Sequence, residues 1–148
     1  NALREAWEEI GLNPLNTRYL GALPSYTLSM FARTIFPVVC ITRRRFAYKL
    51  SSEVEKMVEI PLASFFQREN YARLNVTTSL AEGPAQLQYQ TPCLMIPDGD
   101  GNEDILWGAT FNIIHNFLRI ISGNTVPDDY SFRTVNKILT LKYISPKS

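Results

Sequence analysis

At 148 residues, with 45% apolar and 20% charged side chains, the chain has the length of one ordinary domain and a globular composition, which excludes a disordered polar segment. A formal net charge of +1 gives no electrostatic footprint for nucleic acid. No apolar run reaches the length of a membrane-spanning helix, since the longest, near Ile113 to Ile121, is interrupted by Asn116 and Arg119.

The first element in chain order is a short helix. Arg4-Glu5-Ala6-Trp7-Glu8-Glu9-Ile10-Gly11-Leu12 crowds three carboxylates and one arginine onto about two turns. At 3.6 residues per turn Glu5 and Glu9 share a face, with Glu8 beside them. Like charges so close repel unless a cation holds them together, and oxygen-only ligands suit Mg²⁺ or Mn²⁺. Leu3, Ala6 and Ile10 fall at core spacing on the other face. Arg4 stands one turn before Glu8 and is placed to pair with it, fixing that carboxylate's rotamer. Gly11 is placed for a left-handed cap, with Leu12 packing back on the last turn. The competing reading is a solvated acidic helix held by internal ion pairs.

Asn13-Pro14-Leu15-Asn16 reads as a turn. Thr17 to Leu23 reads as a strand, ended by Pro24. Thr34 to Thr42 is β-branched and almost continuously apolar, which predicts a central strand, with Pro37 marking an edge contact or a bulge. Arg43-Arg44-Arg45 follows as a solvated strand end, or as a phosphate contact for a polyanionic substrate. Glu53 to Ile60 is read as a strand, although its apolar residues do not alternate cleanly. Pro61 to Phe66 starts a short helix on a proline. Residues 72–78 and 86–96 are expected to be extended. Residues 97–102 form a turn whose Asp98, Asp100 and Asn102 have the spacing of a calcium loop. Glu103 stands where that loop needs glycine and Ala109 where it needs glutamate, so calcium is rejected. Trp107 to Ile121 is the strongest helix, with Phe111, Ile114, Phe117, Leu118 and Ile121 at helical spacing and Gly123 as its stop. His115, the lone histidine, reads as a packed residue ahead of a catalytic one. The tail from Tyr130 to Ile144 fits helix or strand. Cys40 and Cys93 read as buried free thiols of a reducing, intracellular compartment. The final Ser145-Pro146-Lys147-Ser148 is not the Ser-Lys-Leu address, so peroxisome, mitochondrion and cytoplasm stay undistinguished.

The string from Arg4 to Leu12 resembles the second half of the Nudix box, R-E-U-x-E-E-x-G-U with U a bulky aliphatic, apart from the small Ala6. Further on, Gly21-Ala22-Leu23-Pro24-Ser25-Tyr26, Phe36-Pro37-Val38-Val39, Glu53-Val54, Ile60-Pro61-Leu62 and Leu106-Trp107-Gly108-Ala109-Thr110 follow in an order similar to the coenzyme A pyrophosphatase branch of that family, in a fungal-type version. The resemblance implies an α/β (α+β) fold, the Nudix α/β/α sandwich with a mixed sheet. The glycine and acidic residue that open the full box would lie upstream of Asn1, so the first strands and half of the box helix are expected to be missing. It implies a partial Nudix domain over residues 1–125, followed by an extension of uncertain structure over 126–148. It also implies metal-dependent hydrolysis of a diphosphate in a small nucleotide substrate. Coenzyme A or its derivatives come first, giving 3′,5′-adenosine diphosphate and a phosphorylated pantetheine. The alternatives are oxidised nucleotides or ADP-ribose, or a non-catalytic Nudix-fold binding domain.

By the same resemblance Glu5, Glu8 and Glu9 hold the divalent metal, Glu8 and Glu9 take part in catalysis, and Arg4 orients a metal-binding glutamate. Trp7 packs, and Glu53 is the outside candidate for the base. Arg33 and the Arg43–Arg45 run are candidates for the 3′-phosphate of coenzyme A. No nucleic-acid or membrane partner is expected, and a homodimer is left open.

Overall fold

A computed structural model describes residues 2–28, 33–79, 86–123, 125–128 and 133–139. The chain divides into two compact units, Asn1–Glu59 and Ile60–Ser148.

The first unit opens with helix α1 (Ala2–Ile10). It ends on Gly11 at φ +73°, with Gly11 N–H donating to the Trp7 carbonyl at 3.0 Å and Leu12 N–H to Ala6 at 3.1 Å. Those two bonds make a Schellman closure, in which a left-handed residue turns the chain back over the last carbonyls. Asn13 then caps a single 3₁₀ turn over Pro14–Asn16, its side chain accepting from Leu15 N–H at 2.9 Å. The apolar face expected of α1 is only partly confirmed. Ala6 and Ile10 are half-buried, but Leu3 remains 39% exposed, and no residue of α1 is fully buried.

Strands β1 (Thr17–Ala22), β2 (Tyr26–Leu28), β3 (Arg33–Ile35) and β4 (Val38–Thr42) follow. β1 pairs antiparallel with β4, from Thr17 opposite Thr42 to Ala22 opposite Val38, with an irregularity between Tyr19 and Gly21. β2 pairs antiparallel with β3. The two ladders are successive parts of one excursion, bridged by Leu23 N–H donating to the Pro37 carbonyl at 2.9 Å. Pro24 and Pro37 explain the break, since neither offers an N–H to a ladder.

The central strand expected over Thr34 to Thr42 is therefore corrected. Pro37 cuts the run in two, and each half lies in a two-stranded ladder with Val38 49% and Ile41 47% exposed. The strand expected over Glu53 to Ile60 is absent too. That stretch is irregular, in keeping with its lack of clean alternation.

The second unit holds a four-stranded mixed sheet in the order β7-β6-β5-β8, made of β5 (Tyr71–Ser79), β6 (Gln86–Pro97), β7 (Glu103–Trp107) and β8 (Thr134–Leu139). β5 pairs antiparallel with β6 and parallel with β8, and β6 pairs antiparallel with β7. Alternate residues point to opposite faces. On one face Ala72, Leu74, Val76, Cys93, Met95 and Leu139 form a buried cluster. On the other, Tyr71 is covered at one end by helix α2 (Gly108–Ser122), whose Phe111, His115 and Leu118 are buried. Tyr71 and Phe111 meet edge to face at 6.1 Å, and the Tyr71 hydroxyl donates to the Phe65 carbonyl at 2.6 Å. That carbonyl belongs to the short 3₁₀ helix Leu62–Phe66, which follows Pro61 as the sequence leads one to expect. Gly123 ends α2 at φ +66°, donating to the Arg119 carbonyl.

The turn at 97–102 is held by Asp98, whose carboxylate accepts from Asp100 and Asn102 N–H, each at 3.0 Å. It connects β6 to β7 as the turn the sequence leads one to expect. Residues 134–139 of the ambiguous tail form β8, while 130–132 and 140–144 lie outside the described residues. Two α-helices, paired ladders and a mixed sheet among the described residues make the chain α+β, the class expected. No helix among the described residues is long and apolar enough to cross a membrane.

Two measurements check these constraints. A Cβ on Gly11 would stand 3.1 Å from Lys49 Cβ on a backbone at positive φ, whereas one on Gly123, also at positive φ, meets open space. Gly123→Ala should cost about 1 kcal/mol and Gly11→Ala roughly 1–2 kcal/mol or more, read as shifts in denaturant midpoint.

The second concerns Arg133, whose Nη1 donates to Glu103 Oε1 at 2.8 Å while its Nη2 donates to Oε2. This hydrogen-bonded fork holds the Glu103 carboxyl below its ordinary range. A depressed folded-state pKa contributes stability above the unfolded-state pKa, and that stability is lost as pH falls through the folded-state value. Glu103→Gln should thus lower unfolding free energy modestly at neutral pH, and its difference from the parent should vanish on acidification. A difference of the same size at both pH values would contradict the linkage.

Candidate functional site

α1 mounts its charges against its own backbone field. Glu8 and Glu9 fall in the last turn, where the carbonyl end of a helix disfavours negative charge, and no basic residue occupies that turn. The only cation on the helix is Arg4, whose Nη1 donates to both Glu8 oxygens, at 2.7 and 2.6 Å. Its Nη2 lies 4.0 Å from Glu5 Oε1. The Arg4–Glu8 pair expected one turn apart is therefore formed. It runs in the less favourable order, with the base N-terminal to the acid, and its side chains are 62% and 54% exposed. Such a pair fixes geometry more than it stabilises the fold.

Behind the carboxylates the backbone is tied down. Lys49 N–H donates to the Ile10 carbonyl at 3.1 Å and Ser51 N–H to the Glu9 carbonyl at 2.9 Å. These bonds satisfy two of the carbonyls that a helix leaves open at its C-terminal end. They also seat the segment carrying Glu53 beside the acidic helix. Glu53 N–H donates to Ser51 Oγ at 3.3 Å, and its side chain is exposed. Glu53 thus follows by two residues a backbone bond to Glu9 itself, a closeness that no local pattern in the sequence reveals. On the same segment Tyr48 donates to Glu59 Oε1 at 3.0 Å and packs edge to face on Phe46 at 4.9 Å. The bond to Glu59 raises the Tyr48 pKa above its ordinary value, with desolvation adding to it. Neither Tyr48 nor Glu59 was singled out by sequence reasoning.

Arg43, Arg44 and Arg45 are exposed, which fits either reading of the run. Asn16 anchors the start of that run. Its carbonyl accepts from Arg43 N–H at 2.7 Å, its Oδ1 from Arg44 N–H at 3.0 Å, and its Nδ2 donates to the Arg44 carbonyl at 2.8 Å. Trp7 does not pack fully. It is 51% exposed and, with Arg4, Asn13 and Pro14, borders a cleft of about 350 Å³.

Glu5, Glu8 and Glu9 are an anionic, all-oxygen, exposed donor set, which fits a hard divalent cation in its chemistry. Among the described residues no three side chains of His, Cys, Asp or Glu are gathered into a closed metal shell. An open, all-oxygen set on a helix would suit a hard divalent cation that shares its ligands with water and substrate.

The second unit's reactive side chains are engaged in packing. His115 stacks on Phe111 at 5.3 Å with the rings 19° apart, and its Nε2 lies 3.1 Å from the Pro127 carbonyl. Cys93 is fully buried, and burial pushes its thiol up to about 11. Cys40 and Cys93 are both free, Cys40 being only half-buried.

No family model matches the chain. A protein named uncharacterized Nudix hydrolase NudL, from Pectobacterium atrosepticum, is 29% identical over 123 residues, covering 82% of this chain and 57% of that protein. The peroxisomal coenzyme A diphosphatase ndx-8 of Caenorhabditis elegans is 39% identical over 74 residues, covering 48% of this chain and 31% of that protein. The chain spans little more than half the length of the first of these curated relatives and about a third of the second. The chain is thus similar, at modest identity, to proteins named as Nudix hydrolases, one of them a coenzyme A diphosphatase.

Proposed function

We propose that this chain carries part of a metal-dependent pyrophosphohydrolase, acting inside the cell on the diphosphate of coenzyme A or its derivatives. The products are 3′,5′-adenosine diphosphate and 4′-phosphopantetheine. One observation carries the reading: the Arg4 guanidinium grips both oxygens of Glu8 on a helix whose Glu5 and Glu9 stand one turn apart. The coenzyme A diphosphatase among the relatives supports the choice of substrate.

In this reading Glu5, Glu8 and Glu9 hold Mg²⁺ or Mn²⁺, which when bound neutralises phosphate charge and acidifies a water. Arg4 keeps Glu8 in one rotamer, so that the carboxylate is oriented before any ligand arrives. The Schellman closure at Gly11 and the bonds from Lys49 and Ser51 hold the helix end rigid beneath Glu8 and Glu9. Glu53, on the strap bonded to Glu9, is the candidate to take the proton of the attacking water, alongside the box glutamates themselves. Arg33 and the exposed Arg43–Arg45 run are the candidates for the 3′-phosphate, which calls for a guanidinium fork.

The test uses the full-length protein with a panel of coenzyme A, ADP-ribose and an oxidised nucleotide. Coenzyme A should be turned over fastest, and a preference for either of the others would reassign the substrate. Glu9→Gln removes a ligand with little change in volume. It should cut turnover at least about a hundredfold, while Arg4→Ala, one shell out, should cost about 10- to 100-fold with weaker Mn²⁺ binding by calorimetry. Near-normal turnover by Glu9→Gln would end this assignment.

A further inference from the structure

The net charge of +1 conceals a segregation. Residues 10–52 hold six cations, Arg18, Arg33, Arg43, Arg44, Arg45 and Lys49, and no aspartate or glutamate. The acids of the first unit stand outside that stretch, at Glu5, Glu8 and Glu9 before it and at Glu53, Glu55 and Glu59 after it. Among the described residues no carboxylate pairs with any of the six, whereas Arg4, Arg119 and Arg133 each have one. A charged partner meets the local field and not the chain-wide sum.

Three of these guanidinium groups meet an apolar tip at one end of the β1–β4 ladder. Asn16 holds the backbone of the run, accepting from Arg43 N–H at 2.7 Å and Arg44 N–H at 3.0 Å and donating to the Arg44 carbonyl at 2.8 Å. All three bonds use main-chain atoms of the arginines, and their side chains are exposed. The residue before Asn16 is Leu15, 84% exposed in its 3₁₀ turn. That turn is fixed by the Asn13 side chain on Leu15 N–H at 2.9 Å and by the Thr17 hydroxyl donating to the Pro14 carbonyl. One pair further along the ladder Arg18 stands opposite Ile41, and both are exposed. Directly opposed residues project to the same face, so a cation and an aliphatic side chain are again side by side. A single exposed leucine is ordinary. A leucine held rigidly beside an arginine run, with the pairing repeated at Arg18 and Ile41, has the composition of a surface that meets lipid headgroups and acyl chains together.

We propose that this end of the first unit docks on an anionic bilayer surface. Arg18 and the Arg43–Arg45 run bind lipid phosphates through paired N–H donors, and Leu15 and Ile41 enter the boundary between headgroups and acyl chains. Charge complementarity selects an anionic partner, and the projecting leucine separates a bilayer from other polyanions. A nucleic acid rewards stacked rings and a free phosphate rewards cations alone, so neither gives an aliphatic tip a place to bury itself. The proposal goes beyond the hydrolase reading, in which the same run is a candidate for a soluble 3′-phosphate, and the experiment separates the two.

That experiment measures cosedimentation of the full-length protein with vesicles of phosphatidylcholine alone and of phosphatidylcholine mixed with phosphatidylserine. Binding to the anionic vesicles only is expected, fading as salt rises. Replacing all three arginines, Arg43→Gln, Arg44→Gln and Arg45→Gln together, should weaken it roughly a hundredfold, at about fivefold per charge. Leu15→Ser should weaken it about 3- to 10-fold and leave the binding of a single-stranded RNA unchanged. Every substituted side chain is exposed, and an unchanged thermal midpoint checks that the fold is kept. Equal binding to both kinds of vesicle, or to neither, would overturn the proposal, as would a triple variant that binds like the parent. A Leu15→Ser protein that still binds like the parent would mean a general polyanion site instead. Displacement from vesicles by 3′,5′-adenosine diphosphate, beyond the effect of sodium chloride at equal ionic strength, would return the run to a soluble phosphate and remove the bilayer.

Discussion

The acidic helix depends on how its last turn is closed. A two-turn helix with no fully buried side chain has little packing to hold it, and nucleating so short a helix is costly on its own. Here the closing bonds come from both directions in sequence. Gly11 and Leu12 fold back on Trp7 and Ala6, and Lys49 and Ser51 reach the carbonyls of Ile10 and Glu9 from some forty residues downstream. Gly11 serves both sets. Its positive φ makes the reversal, and its missing side chain lets Lys49 approach. A residue with a Cβ would have to strain the backbone and push Lys49 away at once. Gly11 is thus a steric requirement of a long-range contact as well as a cap.

On that closed helix the charges are arranged against local stability. Carboxylates in the final turn face the negative end of the backbone dipole, and Glu5 and Glu9 are like charges at helical-neighbour spacing. Each effect is small, a few tenths of a kcal/mol at an exposed position. They nonetheless share one sign, and Arg4 relieves only part of it. A helix under no functional constraint would place lysine or arginine in that turn and acids in the first. A divalent cation would turn every one of these repulsions into an attraction, which is the physical content of the metal reading.

The sequence made legible what depends on near neighbours. The Arg4–Glu8 pair, the Gly11 and Gly123 caps, the turn at Asn13 and the α2 face of Phe111 and Leu118 all follow from spacings within about two helical turns, and all are found. What escaped depends on partners far along the chain. Val38 to Thr42 has the composition of a central strand, yet its place is set by β1 and by the donor that Pro37 lacks. Glu53 to Ile60 carries strand-forming residues, but the backbone just before it is committed to the carbonyls of α1. Residues 134–139 were ambiguous because they become a strand through parallel pairing with β5, a partner some sixty residues away.

The remaining reactive groups narrow the chemistry in a direction that composition alone could not give. A lone histidine and a pair of cysteines would ordinarily invite a nucleophile-and-base reading. His115 instead spends its ring on Phe111 and Tyr71 and sets Nε2 against the Pro127 carbonyl. Cys93 donates its thiol to the Ala72 carbonyl at 3.4 Å inside the core, and with its pKa raised to about 11 it stays protonated at neutral pH. Since the thiolate is the nucleophile, burial disarms this residue. In the proposed reading the exposed carboxylates of α1, with Arg4 paired to Glu8, and Glu53 on the neighbouring segment are the groups that would gather a cation and move protons, which is the chemistry of hard oxygen ligands and activated water.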